Sequence, residues 1–398
     1  AVEVPVEQAR VDAIAVRDDG FEVRAGDRHW LARRVILATG VRDPFGIVME
    51  RVLSPTLAII QGRETILLGT YNYMGMTFDP DVVEAGKQAL ADFGSFYAGG
   101  RQVRIDGLPR RDIAFTQSAS LAYDPNGLYH FEQAYVQYFI PAALAHPLPI
   151  VMLHGGGMTG AMWEQTPDGR PGWMQHFLRQ GHAVYVVDNV ERGRAGWAPF
   201  QEVWPEPPII RNAEESWTLF RFGRAEDYAA RRPFAGQRFP VAAFDAFIRH
   251  AVPRWLGNND AALRGFCAVL ERVGPCLVMA HSHGGEVAYR ALHARPDLVR
   301  GVIGIEPSGF SPEVAAAAVA DKPFLFVYGD YLDATPLWEK LCAAGQAYAG
   351  ELARQGARVQ TWRLADMGVA GNSHMPMMDD NSDDIAARIG AWIRGAAA

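Results

Sequence analysis

The chain sorts into stretches of different hydrophobic period. Residues 10–40 alternate or run apolar in short pieces, VDAIAV, FEVRA and HWLARRVILATG, broken at Asp18-Asp19-Gly20 and at Gly26-Asp27. Short apolar runs between such turn residues predict strands. Residues 45–93 change character, with a strand expected over 65–68 and then a helix entered at Asp79-Pro80, where proline suits the first turn. From about residue 95 the pattern changes again and stays consistent to the end. Opening strands are expected within 102–140, with a strong turn signal at Asp124-Pro125-Asn126-Gly127 and period-two alternation through YHFEQAYVQYFIP. Apolar runs at 150–153, 183–187, 276–280, 302–305, 324–328 and 359–363 then alternate with helical patterns, the last at 383–393. That alternation predicts an α/β chain with a doubly wound, mostly parallel sheet and its function at the carboxyl ends of the strands. Between 190 and 274 the sheet pattern lapses into prolines and aromatic residues, among them Trp197, Trp217, Phe220, Phe244 and Phe247. A helical cap is expected there, its aromatics divided between an apolar pocket and the cap's own core.

One stretch carries most of the chemistry, LVMAHSHGGEVAYR at 277–290. An apolar run meets Ser282 between two histidines, then Gly284-Gly285, then a helical pattern with Val287, Ala288 and Ala291 on one face. Strand, tight turn with a central serine, helix is the context of a nucleophile elbow. A serine hydroxyl is a weak nucleophile, so it is lifted out on a strained turn where an imidazole can take its proton. The turn leaves no room beside it, so small residues must stand two before and two after. Here they are Ala280 and Gly284, and alanine at the first departs from the usual glycine. The competing readings are an ordinary serine turn, or His281 and His283 as a metal pair sharing one face of a strand.

The run ending at Leu153 empties into His154-Gly155-Gly156-Gly157. Glycines after a strand let backbone N–H groups face a ligand closely. The expected role is an oxyanion hole built from Gly156, Gly157 and the N–H of His283, the residue after the serine. A phosphate loop would need a Gly-Lys-Ser/Thr ending, which is missing; a plain glycine turn is the other alternative. Glu306 and Asp330 each follow a strand end, and His374 lies in the polar loop GNSHMP before the last helix. The order Ser282, acid, His374 is that of the α/β-hydrolases. The spacing leaves the acid open: Asp330 follows the usual strand, whereas Glu306 follows the preceding one and is a methylene longer. His182 reads as structural, and His130, His176, His250 and His293 carry no other signal.

Composition narrows the partners. The 398 residues are 49% apolar and 21% charged with a net charge of −7, which argues against nucleic acid. No apolar run approaches the roughly 18 residues that span a bilayer. The stretch AVEVPVEQAR lacks the basic start and apolar core of a signal peptide, so none is expected there, and the compartment stays open. Cys267, Cys276 and Cys342 sit at no metal spacing and are expected as buried free thiols.

Three resemblances follow from these motifs. HGGGMTGAMWEQTPDGRPGW, YVVDNVERGRAGW, VMAHSHGGEVAYR, GVIGIEPSG and GNSHMPMMDDNS make residues 95–398 similar to the esterase 713-like group of α/β-hydrolases. That likeness implies Ser282 as nucleophile, His374 as base and Glu306 as acid. It also implies a serine carboxylic-ester hydrolase acting on a small-molecule ester without metal or organic cofactor. VDAIAVRDDGFEVRAGDRHWLARRVILATGVRD, within about 10–43, resembles a piece of a thioredoxin-reductase-like flavoprotein, but no G-x-G-x-x-G accompanies it and FAD is not expected. NYMGMTFDPDVVEAGKQAL, within about 45–93, resembles the start of a serine palmitoyltransferase-type α-oxoamine synthase. That family's Schiff-base lysine and cofactor domain do not follow, so pyridoxal phosphate is not expected.

The arrangement suggests a fusion, in which 1–94 is an appendage without catalytic function and 95–398 is the hydrolase with a cap at about 190–274. A second copy of the chain is one candidate cover for the apolar strands of the appendage, which leaves a homo-oligomer open. The rival functions are a lactonase or thioesterase using the same residues, a non-catalytic binding protein of the same fold, or a redox or aminotransfer activity of the N-terminal pieces.

Overall fold

The computed structural model describes residues 13–17, 20–25, 27–32, 49–54, 57–60, 63–66 and 90–396. The chain divides into two compact units, Ala1–Ala89 and Leu90–Ala398. In the first, β1 (Ala13–Arg17), β2 (Gly20–Ala25) and β3 (Arg28–Ala32) form an antiparallel meander, as the alternation of 10–32 predicts. A second meander joins β4 (Met49–Ser54), β5 (Leu57–Ile60) and β6 (Arg63–Ile66). The strand expected at 65–68 therefore starts earlier, with 67–68 outside the described residues, and β4 and β5 were not foreseen. The apolar run at 35–40 and the helix expected at Asp79-Pro80 lie outside the described residues.

The second unit begins earlier than residue 95. Strand β7 (Leu90–Ile105) pairs antiparallel with β10 (Gly127–Pro141), and Asp92 and Phe93 already stand opposite Ile140 and Phe139. Residues 90–94 thus belong to the sheet, because period-two pairing runs straight through the point where the sequence resemblance changes. Between these strands, β8 (Arg111–Thr116) and β9 (Ala119–Tyr123) make a separate hairpin. The turn at Asp124 is closed by its own side chains: Asn126 N–H donates to Asp124 Oδ1 at 3.0 Å.

Six parallel strands complete the sheet: β11 (Ile150–Leu153), β12 (Val184–Asp188), β13 (Cys276–His281), β14 (Val299–Ile305), β15 (Pro323–Tyr328) and β16 (Arg358–Arg363). The order is β16-β15-β14-β13-β11-β12-β10-β7, the doubly wound, mostly parallel arrangement expected. The chain leaves β11 for β12 on one side and returns for β13 on the other. That reversal opens a crevice at the carboxyl ends of β11 and β13, where such sheets bind ligands.

Both faces are covered, which is why these strands read as unbroken apolar runs. Val278, Ala280, Val302, Phe324 and Phe326 point to one core, and Leu277, Met279, Ile303, Leu325 and Val327 to the other. Helix α1 (Trp173–Arg179) and the last helix pack on the second face. The excursion from 190 to 274 divides into two kinds of structure. Its first part holds α2 (Ala213–Leu219), capped by Asn212, whose side chain accepts from Glu215 N–H at 2.7 Å. There Trp217, Phe222, Phe239, Phe244 and Phe247 pack edge to face on one another, so most of these aromatics form the cap's own core. Its last part is α3 (Asn259–Val273), not cap: Phe266, Val269 and Leu270 join Val278 and Ala280 in the core. Helices α4 (Gly284–Ala294) and α5 (Pro336–Arg354) share that face, and α6 (Ser382–Ala396) ends the fold. The cysteines are free, with Cys276 and Cys342 buried. Among the described residues no helix is long and apolar enough to cross a membrane.

Candidate active site

Ser282 stands between β13 and α4 with φ at 52°, a left-handed backbone that serine adopts only when its surroundings impose it. Two bonds to the neighbouring strand end impose it here. Ser282 N–H donates to Ile305 O at 3.0 Å, and Ser308 N–H donates to Ser282 O at 3.2 Å. Glycines make the turn sterically feasible. A Cβ at Gly284 would stand 2.4 Å from His154 O, and one at Gly155 would stand 2.6 Å from His281 Nδ1. The Ala280 methyl is fully buried in the core behind the turn, so alanine fits at that position.

His374 reaches the serine from the loop before α6. Its Nε2 lies 3.0 Å from Ser282 Oγ and its Nδ1 lies 3.0 Å from Glu306 Oε2. A carboxylate only accepts, so Nδ1 carries the proton and donates, leaving Nε2 to accept from the serine hydroxyl. Ser308 Oγ lies 3.2 Å from Ser282 Oγ and, with the Ser282 proton so committed, donates to it. Asp379 fixes the histidine loop, accepting from Ser373 N–H at 2.8 Å, Ser373 Oγ–H at 2.7 Å and Asn372 Nδ2–H at 2.9 Å.

The two candidate acids take different partners. Glu306, itself at φ 50°, faces His374, whereas the Asp330 carboxylate accepts from Gly371 N–H and does not touch the imidazole. Glu306 is wholly buried and is held by a residue that no motif along the chain singles out. Arg221 meets it in two parallel bonds of 2.8 Å, and Gly329 N–H adds a third. Arg221 lies within the cap, also at positive φ, and no local motif marks it. Trp338 packs beneath both partners, its ring 4.2 Å from that of His374 and 4.6 Å from the Arg221 guanidinium carbon. Burial alone would raise the Glu306 carboxyl; the Arg221 charge and the His374 bond overcome it and hold it down to about 2. Burial pushes the His374 imidazole down to about 4 against the partial support of Glu306. At neutral pH the site therefore holds an ionised acid and a neutral base.

Backbone N–H groups of Gly155, Gly156, Gly157 and His283 have no acceptor among the described residues. Gly155 and His283 lie at the serine turn, and Gly156 and Gly157 line an apolar cleft with Met158, Phe220, Phe247 and Arg254. Only Phe220 and Phe247 of the cap aromatics reach it. The two histidines flanking Ser282 do not form a pair. The turn separates them: buried His281 Nε2 lies 2.9 Å from His374 O, while His283 Nε2 faces Glu286 Oε2 at 3.8 Å. His182 stacks on His146 with centroids 3.7 Å apart, away from the site.

A structure entitled "The Atomic Resolution Structure of a Novel Bacterial Esterase" is 30% identical to the chain, covers 78% of it and 98% of its own length, and superposes with a TM-score of 0.67. The chain belongs to the α/β-hydrolase esterases. "Probable secreted lipase phiG" of Fungal sp. (strain ATCC 74256) is 27% identical to the chain over 341 residues, 72% of the chain and 92% of the relative. A serine palmitoyltransferase of Sphingomonas paucimobilis is 50% identical over 104 residues, 26% of the chain and only 24% of the transferase. The flavoprotein resemblance of 10–43 has no counterpart among these relatives. No protein-family model matches the chain.

Proposed function

We propose that this carboxylesterase-type hydrolase works through Ser282, His374 and Glu306, and that its part from about residue 90 is of the esterase 713-like kind. Ser282 Oγ attacks the ester carbonyl as its proton passes to His374 Nε2. The tetrahedral oxyanion is held by the N–H groups of His283 and Gly156, with Gly157 beside them. His374 then returns the proton to the leaving alkoxide, and the acyl-enzyme is hydrolysed by a water activated in the same way. Glu306 keeps the Nδ1 proton in place and stabilises the imidazolium that forms.

The single observation that carries this reading is the unbroken line from Ser282 Oγ through both His374 nitrogens to Glu306, with steps of 3.0 Å each. The cleft beside Gly156 supports a small or medium apolar ester as substrate. The N-terminal unit takes no part in the chemistry in this reading. Treatment with a fluorophosphonate followed by peptide mapping tests it: one adduct on Ser282 is expected, abolished in Ser282→Ala. An unlabelled Ser282 in a protein that still hydrolyses esters would overturn it.

A further inference from the structure

Two arginines beside the glycine loop have no carboxylate partner. Arg192 is 4% exposed, yet its Nε has no partner and its Nη1 donates only to the Glu191 carbonyl at 3.0 Å. Arg254 has a buried, unpartnered Nε and makes no ion pair among the described residues. The carboxylates nearby are engaged elsewhere. Glu191 accepts from Ala198 N–H at 2.7 Å, and Glu286 accepts from Asn259 Nδ2–H at 3.1 Å and lies 3.7 Å from Arg290. Burying an unpaired guanidinium is costly, so the buried Arg192 and the half-buried Arg254, each with an unpartnered Nε, imply a use.

Their positions bracket the glycine loop. Arg254 Nη1 lies 2.6 Å from where a Cβ on Gly156 would stand, so only glycine lets the guanidinium lie on that loop. It opens onto the apolar cleft with Phe220 and Phe247. Arg192 lines a second recess with Gly155 and His283, on the other side of the same loop. The two charges feel each other: burial and Arg254 bring Arg192 down to about 10, and burial with both arginines pushes His283 down to about 3. The loop is thus flanked by positive charge, buried at Arg192 and half-buried at Arg254, where a planar guanidinium fork suits a carboxylate.

We propose that Arg254 and Arg192 receive an anionic group of the substrate, so that the enzyme prefers esters bearing a free carboxylate, such as half-esters of dicarboxylic acids. The proposal rests on Ser282 being the nucleophile. It is tested with two matched pairs of esters. In the first, 4-nitrophenyl hemiadipate and 4-nitrophenyl heptanoate differ by a charge on the acyl side. In the second, 4-carboxyphenyl and 4-carbamoylphenyl butyrate differ by a charge on the leaving group. A preference of about tenfold or more in kcat/KM for the charged member of one pair is expected, shrinking as salt is raised. The pair that responds identifies the side that carries the carboxylate. Arg254→Gln should reduce the preference to within about threefold, through KM, and Arg254→Lys should retain part of it. Arg192→Gln should weaken it less.

Turnover of both members of each pair at equal rates would overturn the proposal and leave the nucleophile reading intact. An equal loss on charged and neutral esters in Arg254→Gln would overturn it too, since the arginine would then act on the developing oxyanion. Failure of every ester together with an unlabelled Ser282 would remove the nucleophile reading and this proposal with it. Should Arg254→Gln not fold, the salt dependence of the wild-type preference decides the matter alone.

Discussion

Arg221 and Glu306 meet through two parallel hydrogen bonds of 2.8 Å, both side chains wholly shielded from water. The pair joins the cap to the end of β14, where Glu306 stands. It explains how a carboxylate can stay ionised in a dry site and still face a histidine.

Removing the arginine should therefore do more than loosen the cap. Arg221→Met leaves Glu306 buried without its main counter-charge, a situation that typically costs about 3–5 kcal/mol. The Glu306 carboxyl should rise, and the His374 bond should weaken as it becomes neutral. We expect a lower melting temperature and a loss of kcat that deepens as pH falls. An unchanged melt and pH–rate profile would mean that the pair is not linked to the base.

Glu306 and Asp330 should respond unequally to loss of charge. Glu306→Gln keeps the shape but permits the wrong histidine tautomer, so kcat should fall by about 10²–10⁴. Asp330→Asn touches only the contact with Gly371 N–H and should cost less than about tenfold. Steady-state hydrolysis of 4-nitrophenyl butyrate separates the two, and a reversed order would reassign the acid.

The acid limb of activity should lie low. An unperturbed histidine would lose its basicity through about pH 6–7, but burial brings His374 from 6.5 down to about 4. The kcat/KM profile of the free enzyme should accordingly stay flat to about pH 5 and fall through about 4. Stability carries the same sign. The unfolded histidine takes a proton near 6.5 and the folded one only near 4, so stability is lost as pH falls between them. The depressed Glu306 adds a contribution present above 4.5 and lost toward 2. Thermal melts from pH 7 to pH 3 check this; melting temperatures that rise on acidification would contradict it.

Gly155→Ala tests the steric account of the elbow. The new Cβ would press on His281 Nδ1 at 2.6 Å and on Ser282 Cβ at 3.1 Å, and neither can retreat through a packed strand end. A cost of about 1–3 kcal/mol in stability is expected, as for overpacking in general. With Ser282 displaced, kcat should fall by about tenfold to a hundredfold. Normal activity and stability would show that the turn has more room than its geometry indicates.

Much of this was legible along the chain, for local reasons. Apolar runs alternating with helical patterns determined the parallel sheet, because a strand buried on both faces has no polar positions. Ser282 announced itself through the small residues at Ala280 and Gly284, since a strained turn constrains its immediate neighbours. His374 was marked by its place in a polar loop ahead of the last helix. The tertiary structure alone decided what depends on residues far apart. It set the Glu306 carboxylate against His374 and the Asp330 carboxylate against Gly371 N–H, because reach between neighbouring strand ends is a matter of direction and not of spacing. It assigned Asn259–Val273 to the core, because a helix of the same composition can pack on a sheet or on a cap. It brought Arg221 to Glu306 and Arg254 to Gly156, pairings that no period or motif records. A charge has meaning only beside the group it faces, and that neighbour is set by the fold.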